Sequence, residues 1–167
     1  MEYPFAFISK AAGDLGRLFC RHLRLILAVV AMALAITAIL APVLESLGWK
    51  LLPRLIYGFD SALCHQIPGR CLHISGYPVA VCARCFGGYV GFAAASLLFT
   101  ARREFIPATR LIFGLAGLLG LADAALQFAQ VYDSGNLLRL ASGAALGFGS
   151  GMPVFLFISA IEKSHNS

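Results

Sequence analysis

Four stretches of about 20 apolar residues leave this chain little choice of solvent. They cover residues 25–47, 78–100, 111–131 and 137–161. At a helical rise of ~1.5 Å per residue, each is long enough to cross ~30 Å of hydrocarbon. The rest of the composition agrees. Of 167 residues, 59% are hydrophobic and only 13% charged, too few charges for a soluble domain to cover that much apolar surface. The pattern predicts an all-α, polytopic membrane protein with four transmembrane helices in a single domain, residues 25–161. A basic arm (1–24) precedes it and a short tail (162–167) follows.

Charge placement gives the orientation. Lys10, Arg17, Arg21 and Arg24 precede the first apolar stretch, Arg102, Arg103 and Arg110 separate the second from the third, and Lys163 follows the fourth. The turn 132–136 has no Lys or Arg. The positive-inside rule then puts both termini in the cytoplasm and the long loop 48–78 outside, although that loop carries Lys50, Arg54 and Arg70. The expected host is the cell's inner (cytoplasmic) membrane. The basic residues flank the spans and form no stripe, so nucleic acid is not an expected partner. The first apolar stretch exceeds the ~7–15 residues of a signal-peptide core and reads as an uncleaved anchor.

Within the outer loop, Leu51, Leu52, Leu55, Ile56, Phe59 and Leu63 recur at helical spacing. They predict an amphipathic helix over 50–63 lying at the interface, with Pro53 in its first turn. Glycines mark the spans: Gly88 and Gly91 in the second, Gly114, Gly117 and Gly120 in the third, Gly143, Gly147 and Gly151 in the fourth. Small residues let backbones approach closely in lipid, and such faces would also serve a homo-oligomer. The Gly147-x-Gly149-x-Gly151 run has no Lys-Ser/Thr after it and is read as packing, not as a phosphate loop.

The chemistry is concentrated in the outer loop. Cys64 and His65 lie upstream of Cys82 and Cys85, whose two-residue spacing lets both thiolates hold one tetrahedral ion. Thiolate-rich sites favour zinc. Cys64, Cys82 and Cys85 are the expected ligands, with His65 as fourth ligand or supporting partner, and Cys71 and His73 as other candidates for the fourth place. The same spacing also suits a redox disulfide, which an outward-facing position favours, or buried structural thiols. A fifth cysteine, Cys20, makes the count odd and argues against a simple disulfide framework.

Asp123 is the second signal. A carboxylate within a span costs several kcal/mol (~) unless paired or hydrated, so it is a functional candidate. Gln127 lies one helical turn on. Asn136 and Arg139 open the fourth span, and Arg70, Arg84 and Asp60 belong to the same outer layer. Two roles for Asp123 fit: an acid or base in a reaction, or a partner that pairs with Arg139 or Arg84 to lock the bundle. No metalloprotease His-Glu-x-x-His run, nucleophile elbow or nucleotide fingerprint occurs.

These residues resemble a family of small, mostly uncharacterised prokaryotic integral membrane proteins, classed as a domain of unknown function. The resemblance is carried by Cys64-His65-Gln66-x-Pro68-x-Arg70, by Val81-Cys82-Ala83-Arg84-Cys85-x-Gly87-x-Tyr89-x-Gly91, and by Asp123, Gln127, Ser134, Asn136 and Arg139. Gly88 stands where the family pattern implies a bulkier apolar residue. The resemblance implies the site and no reaction. From the residues themselves, the expectation is a zinc-binding membrane protein acting as a metal-dependent hydrolase on a lipid or lipid-linked substrate. Asp123 would serve as general base or acid, with Gln127 beside it in the site, and Arg70 and Arg139 would hold a phosphate or carboxylate. A structural zinc site in a protein that binds lipid or a partner, and a thiol-disulfide redox or transport protein, are the alternatives.

Overall fold

Helix direction decides which chain segments meet at the loop 48–78, and packed glycines and alanines set that direction. The computed structural model describes residues 4–101 and 107–164. Arg102, Arg103 and the end of the tail, 165–167, lie outside the described residues. The elements in order are α1 (Pro4–Ser46), α2 (Leu51–Ser61), a single 3₁₀ turn (Pro68–Arg70), β1 (Cys71–Ile74), β2 (Tyr77–Cys82), α3 (Ala83–Ala101), α4 (Pro107–Phe128) and α5 (Asn136–Ser164).

Among the described residues, three helices are long and apolar enough to cross a membrane, at Leu25–Ser46, Leu111–Phe128 and Asn136–Ile158. The apolar part of α3, Ala83–Phe99, is shorter. The expected second span therefore starts five residues late. Residues 78–82 belong to β2, which pairs antiparallel with β1 in a two-stranded hairpin. The chain is mostly helical but not all-α. Val79, Ala80 and Val81 are all buried, so both faces of β2 are covered. A strand buried on both faces gives a continuous apolar run that periodicity cannot separate from a helix. The turn holds Ser75 at φ 53° and Gly76 at φ 87°, the left-handed pair that suits the twist of a tight hairpin. The interfacial helix expected over 50–63 is α2, with Pro53 and Asp60 on its buried face.

The α3 and α5 helices run parallel. Gly143 of α5 lies against Arg84, Gly147 against Gly88 and Gly151 against Ala95. A Cβ at Gly147 would fall inside the Gly88 backbone, and one at Gly91 inside that of Ala144. α4 is antiparallel to α5, with Gly120 against Ser142 and Leu146, and Gly117 against Gly149. α1 is antiparallel to α3: Leu23 and Leu27 pack with Phe92, Ala95 and Phe99, while Ala38 and Ala41 pack with Cys82, Cys85 and Tyr89. The starts of α3 and α5, the end of α4 and the last third of α1 therefore gather at one end, together with the hairpin and α2. The opposite end is filled by aromatic rings, including Phe99 against Phe155 at 4.7 Å and Phe113 stacked on Phe148 at 3.9 Å.

Of the glycines expected to seat helix on helix, Gly91, Gly117, Gly120, Gly143, Gly147 and Gly151 do so within the chain, whereas Gly114 does not. Gly88 is looser, since a Cβ there would meet only the Gly143 carbonyl at 3.8 Å, and a bulkier residue at that position is sterically admissible. Replacing Gly147 with Ala is expected to destabilise the protein by about 1–3 kcal/mol through overpacking. Gly114→Ala, which meets nothing within 4 Å, is expected to leave stability equal or higher because Ala is the better helix former. Thermal unfolding of both variants in detergent checks the contrast; equal losses would contradict the packing described.

Candidate metal centre

Gln66 builds the loop that delivers the first cysteine. It adopts a left-handed backbone at φ 48°, and its side-chain amide donates to the Tyr57 carbonyl at 2.8 Å and the Ala80 carbonyl at 2.7 Å. The Tyr57 hydroxyl donates to the Pro78 carbonyl at 2.6 Å. These bonds staple the segment after α2 onto β2. Cys64 is buried, and its sulfur accepts the Cys82 N–H at 3.2 Å. Cys82 ends β2 and Cys85 lies in the first turn of α3, so the strand-to-helix junction presents both thiols to Cys64.

The sulfur atoms of Cys64, Cys82 and Cys85 all lie within 4.8 Å of one another. Zn–S bonds of ~2.3 Å in a tetrahedral site put sulfurs ~3.8 Å apart, so the set fits a zinc-type ion with a small inward adjustment. All four described cysteines are free thiols. The three cluster thiols form part of the wall of a cavity of about 400 Å³, which is also lined by Leu63, His65, Gln66, Ile67, Arg70 and Phe128. His65 is exposed on that wall and is not a member of the close set. Nor is Cys71, which is buried and donates its thiol to the Ile67 carbonyl at 3.3 Å. His73 is exposed on β1.

Of the two cysteines outside the spanning helices with shifted acidity, one is poised and one is quenched. A hydrogen bond from the Cys85 thiol is the largest influence on Cys82. Against the opposing effect of burial, and helped by the backbone N–H groups of Cys85 and Arg84, it brings Cys82 from 9.0 down to about 5. The first turn of a helix supplies donors of this kind to a thiolate. Cys71 goes the other way, pushed to about 11 by burial and then by Cys64 and Cys82. Asp60, one turn before Cys64, is fully buried, and its carboxyl oxygens have no hydrogen-bond partner among the described residues. Burial raises its pKa above the usual carboxylate value.

The remaining expected site residues gather beside the thiols, not around the cavity. Asp123 pairs with Arg84 at 2.6 Å and accepts from the Gln127 amide at 3.2 Å and from the Tyr132 hydroxyl. Gln127 also donates to Ser134. Arg139 is buried; it donates to Gln127 at 3.4 Å and to Asn136 at 3.1 Å, and it pairs with Asp133. Asn136 donates to the Cys71 carbonyl at 2.9 Å. Asp123, Gln127 and Arg139 thus share one network, while Arg70 alone of the four lines the cavity with the thiols. Among the described residues no carboxylate pairs with Arg70. Gln66 stands in the Cys-His-Gln motif, but its bracing contacts, those of Tyr132 and Asp133, and the place of Phe128 on the cavity wall come only from the fold.

The comparisons with known proteins agree with a membrane assignment. Residues 64–153, just over half of the chain, match the family described as "Predicted membrane protein (DUF2085)". An uncharacterised protein of Methanocaldococcus jannaschii is 32% identical over 117 residues, covering 65% of this chain and 75% of the relative. An uncharacterised protein of Methanothermobacter thermautotrophicus is 31% identical over 88 residues, covering 52% of this chain and 79% of the relative. No solved structure matches.

A lowered pKa has a signed consequence. Because the Cys85 thiol and the backbone N–H groups of Cys85 and Arg84 hold Cys82 below the ordinary thiol value, the contribution of its thiolate to the metal-free fold shrinks as the pH falls through that lowered value. In reduced, chelator-treated protein, Cys82 is expected to react with iodoacetamide at pH 6, whereas Cys71 stays unlabelled at pH 7. Peptide mapping by mass spectrometry reads both, and equal labelling of the two would contradict the assignment.

Proposed function

We propose, for a chain that belongs to the DUF2085 family of predicted membrane proteins, that Cys64, Cys82 and Cys85 hold a zinc ion at the membrane boundary. The observation that carries this reading is three thiols within 4.8 Å of one another on the wall of a cavity. Three protein ligands leave a fourth place for His65 or for a ligand from the cavity. Zinc held with an open position is a Lewis acid that activates water near neutral pH.

The reaction class this reading favours is hydrolysis of a lipid or lipid-linked substrate. Arg70 is the cation available to a phosphate or carboxylate, and a guanidinium fork suits both. Leu63, Ile67 and Phe128 are exposed apolar residues on the same cavity, suited to an acyl or isoprenoid chain. His65 lines the cavity and is the candidate for proton transfer in place of Asp123, whose carboxylate is already held by Arg84, Gln127 and Tyr132. Three thiolates donate charge and temper the Lewis acidity of zinc, so slow turnover or ligand binding without turnover fits the same site. In this reading α3 is the second of four spans, both termini are cytoplasmic, and the site faces outward from the inner membrane.

A second reading has its own support. A Cys-x-x-Cys pair at a helix start, with the first thiol shifted toward thiolate, also suits thiol-disulfide exchange. Elemental analysis of detergent-purified protein, with thiol counting on the same sample, separates the two. The zinc reading expects about one zinc per chain, with three thiols masked until chelation, and loss of the ion in Cys82→Ser. Arg70→Gln should keep the ion while binding of a short-chain anionic lipid weakens about tenfold or more, since a charge-assisted hydrogen bond is worth roughly 1.5–3 kcal/mol. No metal, with two thiols appearing only after reduction, would replace the zinc reading with the redox one.

A further inference from the structure

The network around Asp123 meets the thiol cluster at two points, and both lie on the backbone that carries the cysteines. Arg84 sits between Cys82 and Cys85 in the Cys-Ala-Arg-Cys turn, and its guanidinium is held by Asp123 of α4 at 2.6 Å. Asp123 in turn is fixed by Gln127 and Tyr132. On the other side, Asn136 at the start of α5 holds the Cys71 carbonyl at 2.9 Å, and Cys71 is the register partner of Cys82 in the hairpin. Arg139 donates to both Gln127 and Asn136, which joins the two arms. Gly143 brings the α5 backbone directly against Arg84. The arms therefore grip the Cys82–Cys85 turn from α4 and from α5.

We propose that Asp123, Gln127, Asn136 and Arg139 are positioning residues: through Arg84 and the Cys71 carbonyl they set the geometry of the Cys82–Cys85 turn and so the affinity for the ion. This rests on the zinc reading above. Two physical effects give the direction. Three sulfurs on separate segments bind one ion well only when their spacing is set beforehand, and the groups that orient metal ligands typically change affinity by ~10–100-fold. Arg84, once released from Asp123, also becomes a free cation next to thiolates and competes with the incoming dication for them. The arrangement explains why an acid, an amide and a buried arginine gather beside the site without lining its cavity. A general-base role for Asp123 would leave these contacts without a purpose.

The test uses full-length protein in detergent with cobalt(II) as the probe, because its thiolate charge-transfer and tetrahedral ligand-field bands report ligand number and geometry without any activity assay. Wild type is expected to bind about one cobalt with both bands. Asp123→Asn is expected to keep the thiolate band but bind about 10–100-fold more weakly, with weaker or shifted ligand-field bands. Asp123→Glu, which preserves the charge, should recover most of the affinity. Asn136→Ala removes only the second arm and should weaken binding in the same direction, and it decides the matter if Asp123→Asn does not purify as a folded protein. Wild-type binding combined with unchanged affinity and spectra in the folded variants would overturn this inference alone. Absence of cobalt and zinc binding by wild type would overturn the zinc reading and this inference with it.

Discussion

The close backbone contact of α3 with α5 governs the rest of the structure. Helices in lipid gain little from burying apolar surface against each other, so their association depends on packing and polar contacts. Gly91, Gly143 and Gly147 remove the side chains that would otherwise hold the two backbones apart. Because α3 and α5 run parallel, their starts lie side by side. The Cys82–Cys85 turn that opens α3 is thereby placed beside the start of α5, with Gly143 against Arg84 and Asn136 on the Cys71 carbonyl. With ordinary side chains at those glycines, the thiols and the polar network would separate.

The polar residues at this end solve a solvation problem. A carboxylate or guanidinium near hydrocarbon must be paired, and an incompletely paired network costs more than none. Here most partners come from the chain itself: Asp123 has Arg84, Gln127 and Tyr132, and buried Arg139 has Gln127, Asn136 and Asp133. Asp60 and Arg70 are exceptions, Asp60 being buried with no hydrogen-bond partner among the described residues. Asp123 is held on several sides by the chain's own groups, whereas Arg70 lies on the cavity wall without a described carboxylate. That contrast is the reason Asp123 reads as support and Arg70 as the ligand-facing residue.

The small hairpin links the two halves of the site. β1 and β2 are short and isolated, and a two-stranded hairpin alone is marginal in water. It persists here because Val79, Ala80 and Val81 are buried together with Ala38 and Ala41 of α1, and because Gln66 and Tyr57 bind β2. Irregular backbone near a membrane survives where protein covers it. The hairpin lets Cys64, 18 residues before Cys82, return to the start of α3.

Much of this was legible in the sequence because it depends on local pattern. Apolar length marked the helices at Leu25–Ser46, Leu111–Phe128 and Asn136–Ile158. Spacing marked α2, and residue chemistry picked out Cys64, Cys82 and Cys85. Residues 78–82 were misread as helix because burial on both faces erases the alternation that identifies a strand. His65 was drawn toward the ligand set by adjacency to Cys64, yet neighbouring residues point different ways, and its ring lines the cavity outside the close set. Which arginine meets Asp123 was left open between Arg84 and Arg139, since sequence separation carries no distance. The sequence by itself determined a membrane solvent, the long apolar helices and the cysteines that cluster, because each follows from side-chain chemistry and period. Only the tertiary structure decided that Asp123 serves Arg84 and that Arg70 faces the cavity, because both follow from how α3, α4 and α5 are packed side by side.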